Sequence, residues 1–206
     1  GNTEGVVAVD QDGDSHEISA SMVIDASGRD ALVQTKRKWR RRDPHLGKIA
    51  IWTYYKGAKR DPGLDAGSTT VAYLPEKGWF WYIPLGNDIV SVGIVAERDY
   101  LYRDSRDPGE ILRKESGNNA WIAEHLNPGR QFGRYWSTGE YSYRSEFCAA
   151  NGLLLVGDAF AFIDPVFSSG VFLALKSGEM AADAVDIALG VNDFSASQFS
   201  NYGREL

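Results

Sequence analysis

Residues 156–171 read VGDAFAFIDPVFSSGV, which sets Asp158 and Asp164 in an otherwise apolar stretch and follows them with Ser168-Ser169-Gly170 at the mouth of a helical pattern. Gly157 lets the backbone turn sharply, so that the Asp158 carboxylate is placed to accept hydrogen bonds from ligand hydroxyls. The amides of Ser168, Ser169 and Gly170 open a helix, where no intrahelical acceptor exists and the dipole favours negative charge. An anion or an electron-rich ligand edge is expected there. A plainer reading stands beside this one: Asp158 orders a turn, and Asp164-Pro165 introduces the helix. Taken alone, a strand, Gly-Asp and a capped helix favour the plainer reading.

The pattern occurs twice. Met22-Val23-Ile24 reads as a buried strand that stops at Asp25-Ala26-Ser27-Gly28, where small residues allow close approach of the backbone. The apolar run GLLLV, residues 152–156, is a second such strand and stops at Gly157-Asp158. In open α/β sheets ligands bind beyond the carboxyl ends of strands. More than a hundred residues separate the two sites, and their composition is that of an antiparallel sheet.

The elements that must position these sites follow from periodicity. An alternating strand around Val6 to Val9, a turn at Asp12-Gly13-Asp14 and a returning strand form a hairpin ahead of Met22. IAIWTYYKG, STTVAYL, WFWYIPL and IVSVGIVAE are aromatic-rich strands, the last three joined by short turns as an antiparallel meander. Alternation puts Trp79, Trp81, Ile83 and Leu85 on one face and Phe80 and Tyr82 on the other, so the sheet is expected to be covered on both sides. DPGEILRKE starts a helix with Asp107 as N-cap, Pro108 at the first position and Glu110 as the returning carboxylate. NNAWIAEHL is a second helical piece, and FGRYWSTGEYSYRSEF returns to strand composition. From Gly170 the chain reads helical to Leu189, with Val171, Ala174, Leu175, Gly178, Ala182, Val185 and Leu189 at helical spacing and Gly190 as the stop. The small residues Ala174, Ser177, Gly178, Ala181 and Ala182 point to close packing, and a last helical start lies near Asp193–Ser197.

Composition narrows the function classes. A net charge of −6 disfavours nucleic acid as a partner, because phosphate binding rests on neutralisation by Lys and Arg. KRKWRRR, residues 36–42, is the one basic cluster; it reads as a solvated loop, or as a partner for acidic surface elsewhere. No apolar run approaches the roughly 18 residues of a membrane span, and no secretory signal order is present. Cys148 is the only cysteine, which excludes an intrachain disulfide, fits a reducing cytoplasm and reads as a packed thiol rather than a nucleophile. His16, His45 and His125 lack metal-ligand spacing, so no metal is assigned.

Together the motifs say more than either does alone. VIDASGR (23–29) and VGDAFAFIDPVFSSGVFLALKSGEMAADAV (156–185) resemble the second and third nucleotide-site motifs of the FAD-dependent monooxygenase superfamily, the fold of the aromatic hydroxylases. GWFWYIP is more specific: Trp79, Trp81, Ile83 and Pro84 satisfy the W-x-W-x-I-P signature of the flavin-dependent halogenases at every fixed position. The resemblance implies a mixed α/β fold, in which an incomplete Rossmann-like FAD-binding layer (residues 1–35 and 145–206) is interrupted by an antiparallel β-sheet substrate domain (36–144). It implies FAD, used as FADH2, with Asp158 on the ribityl chain and Pro165 through Val171 beside the isoalloxazine. Asp25, Gly28 and Gly157 belong to its cofactor-contacting turns. The halide, chloride or bromide, is placed at the amides of Ser169 and Gly170, and Trp79 and Trp81 line the wall that discourages direct hydroxylation.

The activity so implied is halogenation of an electron-rich small-molecule or carrier-bound substrate by FADH2, O2 and halide, with a separate flavin reductase as partner. An FAD-dependent hydroxylase or an isoprenoid-type reductase rests on the same two nucleotide motifs, and a non-catalytic binding module or degenerate flavoprotein is the alternative from another class. No G-x-G-x-x-G occurs, so the chain is expected to be an internal part of a larger protein and, alone, inactive and weak in FAD retention. Lys36, Lys38, Lys48, Lys56, Lys59 and Lys77 fall in no motif matching the halogenase lysine.

Overall fold

A computed structural model describes residues 1–42, 47–139 and 142–206. The chain divides into two compact units, Gly1–Arg42 with Ser142–Leu206, and Asp43–Tyr141. The mixed α/β class expected from the sequence is the class observed.

The first unit begins with β1 (Gly5–Val9) and β2 (Ser15–Ser19), an antiparallel hairpin whose valines are largely exposed. Next come β3 (Val23–Asp25), α1 (Leu32–Lys36) and β4 (Arg40–Arg42). Two expectations change here. β3 is not a buried strand throughout, because Ile24 is 45% exposed and only Asp25 is buried. The basic run is not a loop: Lys36 closes α1 and Arg40–Arg42 pair with a later strand. Its charges are absorbed locally. Arg37 lies over Trp39, Arg40 lies 3.7 Å over the Tyr143 ring, and Arg41 pairs with Glu146.

The second unit is a five-stranded antiparallel sheet in the order β6-β7-β8-β5-β9. Its strands are β5 (Lys48–Lys56), β6 (Thr70–Leu74), β7 (Gly78–Pro84), β8 (Ile89–Glu97) and, after the helices, β9 (Arg130–Thr138). The meander β6-β7-β8 is as expected, and β5 pairs along the whole of β8. Helices α2 (Arg98–Leu101), α3 (Pro108–Ser116) and α4 (Ala120–Leu126) lie between β8 and β9. Phe80, Tyr82, Ile51, Val92 and Ile94 pack with Ile111, Leu112, Ile122 and Leu126, so one face of the sheet is the core of the unit. The other face carries Trp52, Trp79, Trp81 and Trp136, of which Trp79 is buried and Trp136 is 38% exposed.

Asp107 caps α3 by accepting from Glu110 N, and Asn119 caps α4 by accepting from Ile122 N. The expected capping box is relayed rather than direct. The Glu110 carboxylate accepts from the Ser105 hydroxyl, and that same hydroxyl oxygen accepts from Asp107 N. His125 is buried against Trp121, with ring centroids 3.6 Å apart, and His16 pairs with Asp10; His45 lies outside the described residues.

The chain returns to the first unit with β10 (Tyr143–Ser145), β11 (Ala149–Ala150), β12 (Leu153–Leu155) and β13 (Ala161–Phe162). β13, β10 and β4 form one antiparallel sheet, while β11, β12 and β3 form another in which β12 and β3 are parallel. Helix α5 (Gly170–Val191) runs past Gly190 and stops at Asn192, which takes the left-handed conformation at φ 53°. Its buried face is Ser177, Ala181 and Ala188, whereas Val171, Leu175 and Leu189 of the expected stripe are exposed. The small face is what lets α5 sit close to Leu154 and Val156, with Phe199 and Tyr202 of the C-terminal turn and α6 (Ser200–Glu205) completing the cluster. Burial pushes the Cys148 thiol up, as befits a packed side chain. No helix among the described residues is long and apolar enough to cross a membrane.

Phe80 is fully buried at the centre of the second unit's core. Phe80→Ala is expected to cost about 3–5 kcal/mol in urea unfolding monitored by tryptophan fluorescence, the range for emptying an aromatic site.

Candidate functional site

Parallel pairing sets Leu153 beside Val23, Leu154 beside Ile24 and Leu155 beside Asp25. Both strands therefore end at one edge, and the two Gly/Asp loops leave it side by side, joined by Val156 N donating to Asp25 O at 3.1 Å. That edge is where an α/β sheet receives a ligand.

The first loop satisfies itself. Asp25 is buried; its Oδ1 accepts from Ser27 N and its Oδ2 from Val33 N, each at 2.9 Å. Ser27 Oγ accepts from Leu32 N, so the opening amides of α1 are held by Asp25 and Ser27 together. Gly28 turns with φ 63°, a conformation that favours glycine, and its missing side chain faces open space. The Asp25 carboxylate is spent on loop geometry, and what the loop offers a ligand is close backbone approach at Gly28.

The second loop is held from outside and leaves its carboxylate open. Gly157 adopts φ 54°, and its amide donates to Ser177 Oγ of α5 at 2.8 Å. The Asp158 carbonyl accepts from Tyr143 Oη at 2.9 Å, and the Ala159 carbonyl accepts from Gln34 Nε2 at 2.7 Å. Among the described residues the Asp158 carboxylate accepts no hydrogen bond. Burial raises its pKa above the ordinary 3.8, and the nearby Arg29 guanidinium opposes part of that rise.

Asp164-Pro165 starts a 3-10 turn, Pro165–Phe167, which ends in Ser168 at φ 53°. Ser169 then caps α5 without a side-chain hydrogen bond, and the first helical bond is Leu173 N to Ser169 O. The amides of Gly170, Val171 and Phe172 precede that bond and have no place in the helical ladder. Phe167, Val171, Phe172 and Leu175 around this mouth are exposed, at 88% for Phe167. The arrangement suits a ligand with hydroxyls for Asp158, a flat apolar body and an electron-rich edge, which is the chemistry of a flavin. Asp158, Gly157, Pro165, Ser169, Gly170 and Val171 thus lie in one run of backbone, with Asp25 and Gly28 on the neighbouring strand end.

The tryptophan signature belongs to the second unit. Trp79, Trp81 and Ile83 point from β7 to the face opposite the core, and Pro84 ends the strand. Trp79 is buried and Trp81 half-buried. Their rings lie 6.0 Å apart, Trp52 of β5 lies 6.2 Å beyond Trp81, and Trp136 of β9 stacks on Trp52 at 6.2 Å and 10°. Sequence reasoning missed the supporting residues. Arg29 was open to view, directly after Gly28, and Ser177 was marked by its small size for close packing though not for its bond to Gly157, but a buried Gln34 in a five-residue helix carries no local signal.

A family model described as tryptophan halogenase matches residues 1–205. A 1H-pyrrole-2-carbonyl-[peptidyl-carrier protein] brominase of Pseudoalteromonas luteoviolacea is 31% identical, over 93% of this chain and 49% of its own length. The corresponding chlorinase of Pseudomonas fluorescens is also 31% identical, over 91% of this chain and 43% of its own. The chain thus spans about half the length of the curated relatives it matches. Among solved structures, a flavin-dependent brominase superposes with a TM-score of 0.89 at 28% identity, covering 98% of this chain and 51% of that one.

An open, partly buried carboxylate opposes folding when charged. Because the folded pKa of Asp158 lies above the ordinary value, its contribution favours the fold below 3.8 and is lost as pH rises through the folded pKa. Asp158→Asn is therefore expected to raise the melting temperature at pH 7, with the difference from wild type vanishing below the carboxylate range, in paired thermal scans across pH.

Proposed function

Because the chain belongs to the tryptophan halogenase family, we propose that it forms part of a flavin-dependent halogenase, which uses FADH2, O2 and chloride or bromide to halogenate an electron-rich organic substrate. The match of the family model over residues 1–205 carries this reading, with the W-x-W-x-I-P strand as its specific mark. When bound, the reduced flavin supplies the electrons that let O2 become an oxidant for halide.

The chain's own residues bind and orient. Asp158 accepts hydrogen bonds from the ribityl hydroxyls, and its open carboxylate and raised pKa are the cost of keeping that site vacant for a ligand. Gly157 and Gly28 bring backbone close to the cofactor, with Asp25 fixing the loop that carries Gly28. Pro165 through Val171 lie beside the isoalloxazine, and the amides of Ser169 and Gly170 donate to the halide. Positioned amides of this kind stabilise charge without reorganising during the reaction. Trp79, Trp81, Ile83 and Pro84 supply an apolar strand that excludes water from the substrate.

Two of the relatives bear names that specify a pyrrole carried on a peptidyl carrier protein. We take the substrate class here to be an electron-rich heteroaromatic acyl group on a carrier, with that carrier and a flavin reductase as partners and the reducing cytoplasm as the compartment.

The test is product formation by the full-length protein with a flavin reductase, NADH, FAD, O2 and bromide, read by the bromine isotope doublet in mass spectra. Turnover to an oxygenated product that persists unchanged without halide would replace the halogenase reading by a hydroxylase. Ser169 has helical backbone angles and makes no side-chain cap, so Ser169→Asp acts through charge, placing a carboxylate at the opening amides of α5. It is expected to add about 0.3–1 kcal/mol of stability while raising the bromide concentration needed for half-maximal rate several-fold.

A further inference from the structure

Trp81 and Trp52 stand on strands that are not neighbours. β8 runs between β7 and β5, and hydrogen-bonded strands lie about 4.8 Å apart, so the two backbones are separated by nearly 10 Å. Their rings nonetheless come within 6.2 Å, and they meet above Gly93, which is the register partner of Trp81 on one side and of Trp52 on the other. A Cβ at Gly93 would fall 2.2, 2.4 and 2.6 Å from Cζ2, Cη2 and Cε2 of Trp81. Gly93 lies in ordinary extended strand with no positive φ, so its backbone does not require glycine. The requirement is space for the indole.

Two further contacts fix that ring. Trp81 Nε1 donates to Ser91 Oγ at 3.1 Å, on the same face and two residues from Gly93. Trp79 flanks one side at 6.0 Å, and Trp52 on the other side is itself backed by Trp136, over which the Arg134 guanidinium sits at 3.4 Å. A displaced Trp81 ring has to push a neighbouring indole.

We propose that Gly93 is a positioning residue for the halogenation reaction: its bare backbone seats the signature tryptophan Trp81 flat against the sheet, Ser91 sets the direction of the indole, and Trp52 closes the far side. This rests on the function proposed above. The consequence is that the W-x-W-x-I-P strand works only together with a glycine on the neighbouring strand.

The experiment uses the full-length protein labelled with 5-fluorotryptophan, with the Trp81 resonance assigned by its loss in Trp81→Phe. Gly93→Ala is expected to shift that ¹⁹F resonance and to lower halogenated product per FADH2 consumed by up to about a hundredfold, the scale of a 1 Å misplacement, with FAD affinity unchanged. In a Trp81→Ala background, Gly93→Ala is expected to have no further effect on product yield. An unmoved Trp81 resonance, or an equal loss of product without the indole, overturns the proposal. Should Gly93→Ala fail to fold, Ser91→Val is expected to shift the same resonance, and an unmoved signal there overturns the proposal in turn. A wild-type protein that makes no halide-dependent product defeats the function reading, while the fluorine shift still decides whether Gly93 seats the ring.

Discussion

Parallel pairing of β3 with β12 is the interaction on which the first unit depends. Antiparallel neighbours close with a tight turn, but parallel strands demand a long connection. Here the connection contains the whole second unit, together with α1, β4, β10 and β11. The pairing aligns Asp25 with Leu155 and so brings two loops to one edge from opposite ends of the sequence. Everything that follows at that edge, including the turn at Gly157 and the mouth of α5, takes its position from this register.

The two acidic residues at that edge show how similar sequence yields unlike roles. Asp25 meets two backbone amides and is consumed by them. Asp158 sits in a loop whose backbone polar groups are served by Ser177, Tyr143 and Gln34, so the side chain is released from structural duty. An open carboxylate held by a satisfied backbone is a costly arrangement for stability alone, and it is the arrangement a ligand-binding group needs.

What was legible in the sequence was local. Apolar runs ending in Gly and Asp marked both strand ends, Asp107 marked a helix start, and alternation sorted Phe80 and Tyr82 from Trp79 and Trp81. What was not legible depended on partners distant in sequence. The strand Arg40–Arg42 looks like a solvated charge run until Tyr143 and Glu146 are brought to it, because cation–π contact and ion pairing leave no periodic trace. On α5 the small residues Ser177 and Ala181 form part of the buried face, as their size suggests, while the large apolar residues Val171, Leu175 and Leu189 at helical spacing stay exposed. Gly93 shows the same limit: alternation assigns a face, but register across strands decides that two tryptophans meet above a glycine.

The tryptophan row also determines what light can report about this protein. Of the six tryptophans, Trp52, Trp79, Trp81, Trp121 and Trp136 belong to the second unit and only Trp39 to the first. Intrinsic emission is therefore an optical signal of the antiparallel sheet, dominated by indoles close enough to exchange excitation. The longest helix, α5, lies in the other unit and weighs heavily in far-ultraviolet dichroism. The two spectroscopies watch different halves of one chain, so a comparison of their transitions measures how far the units melt together.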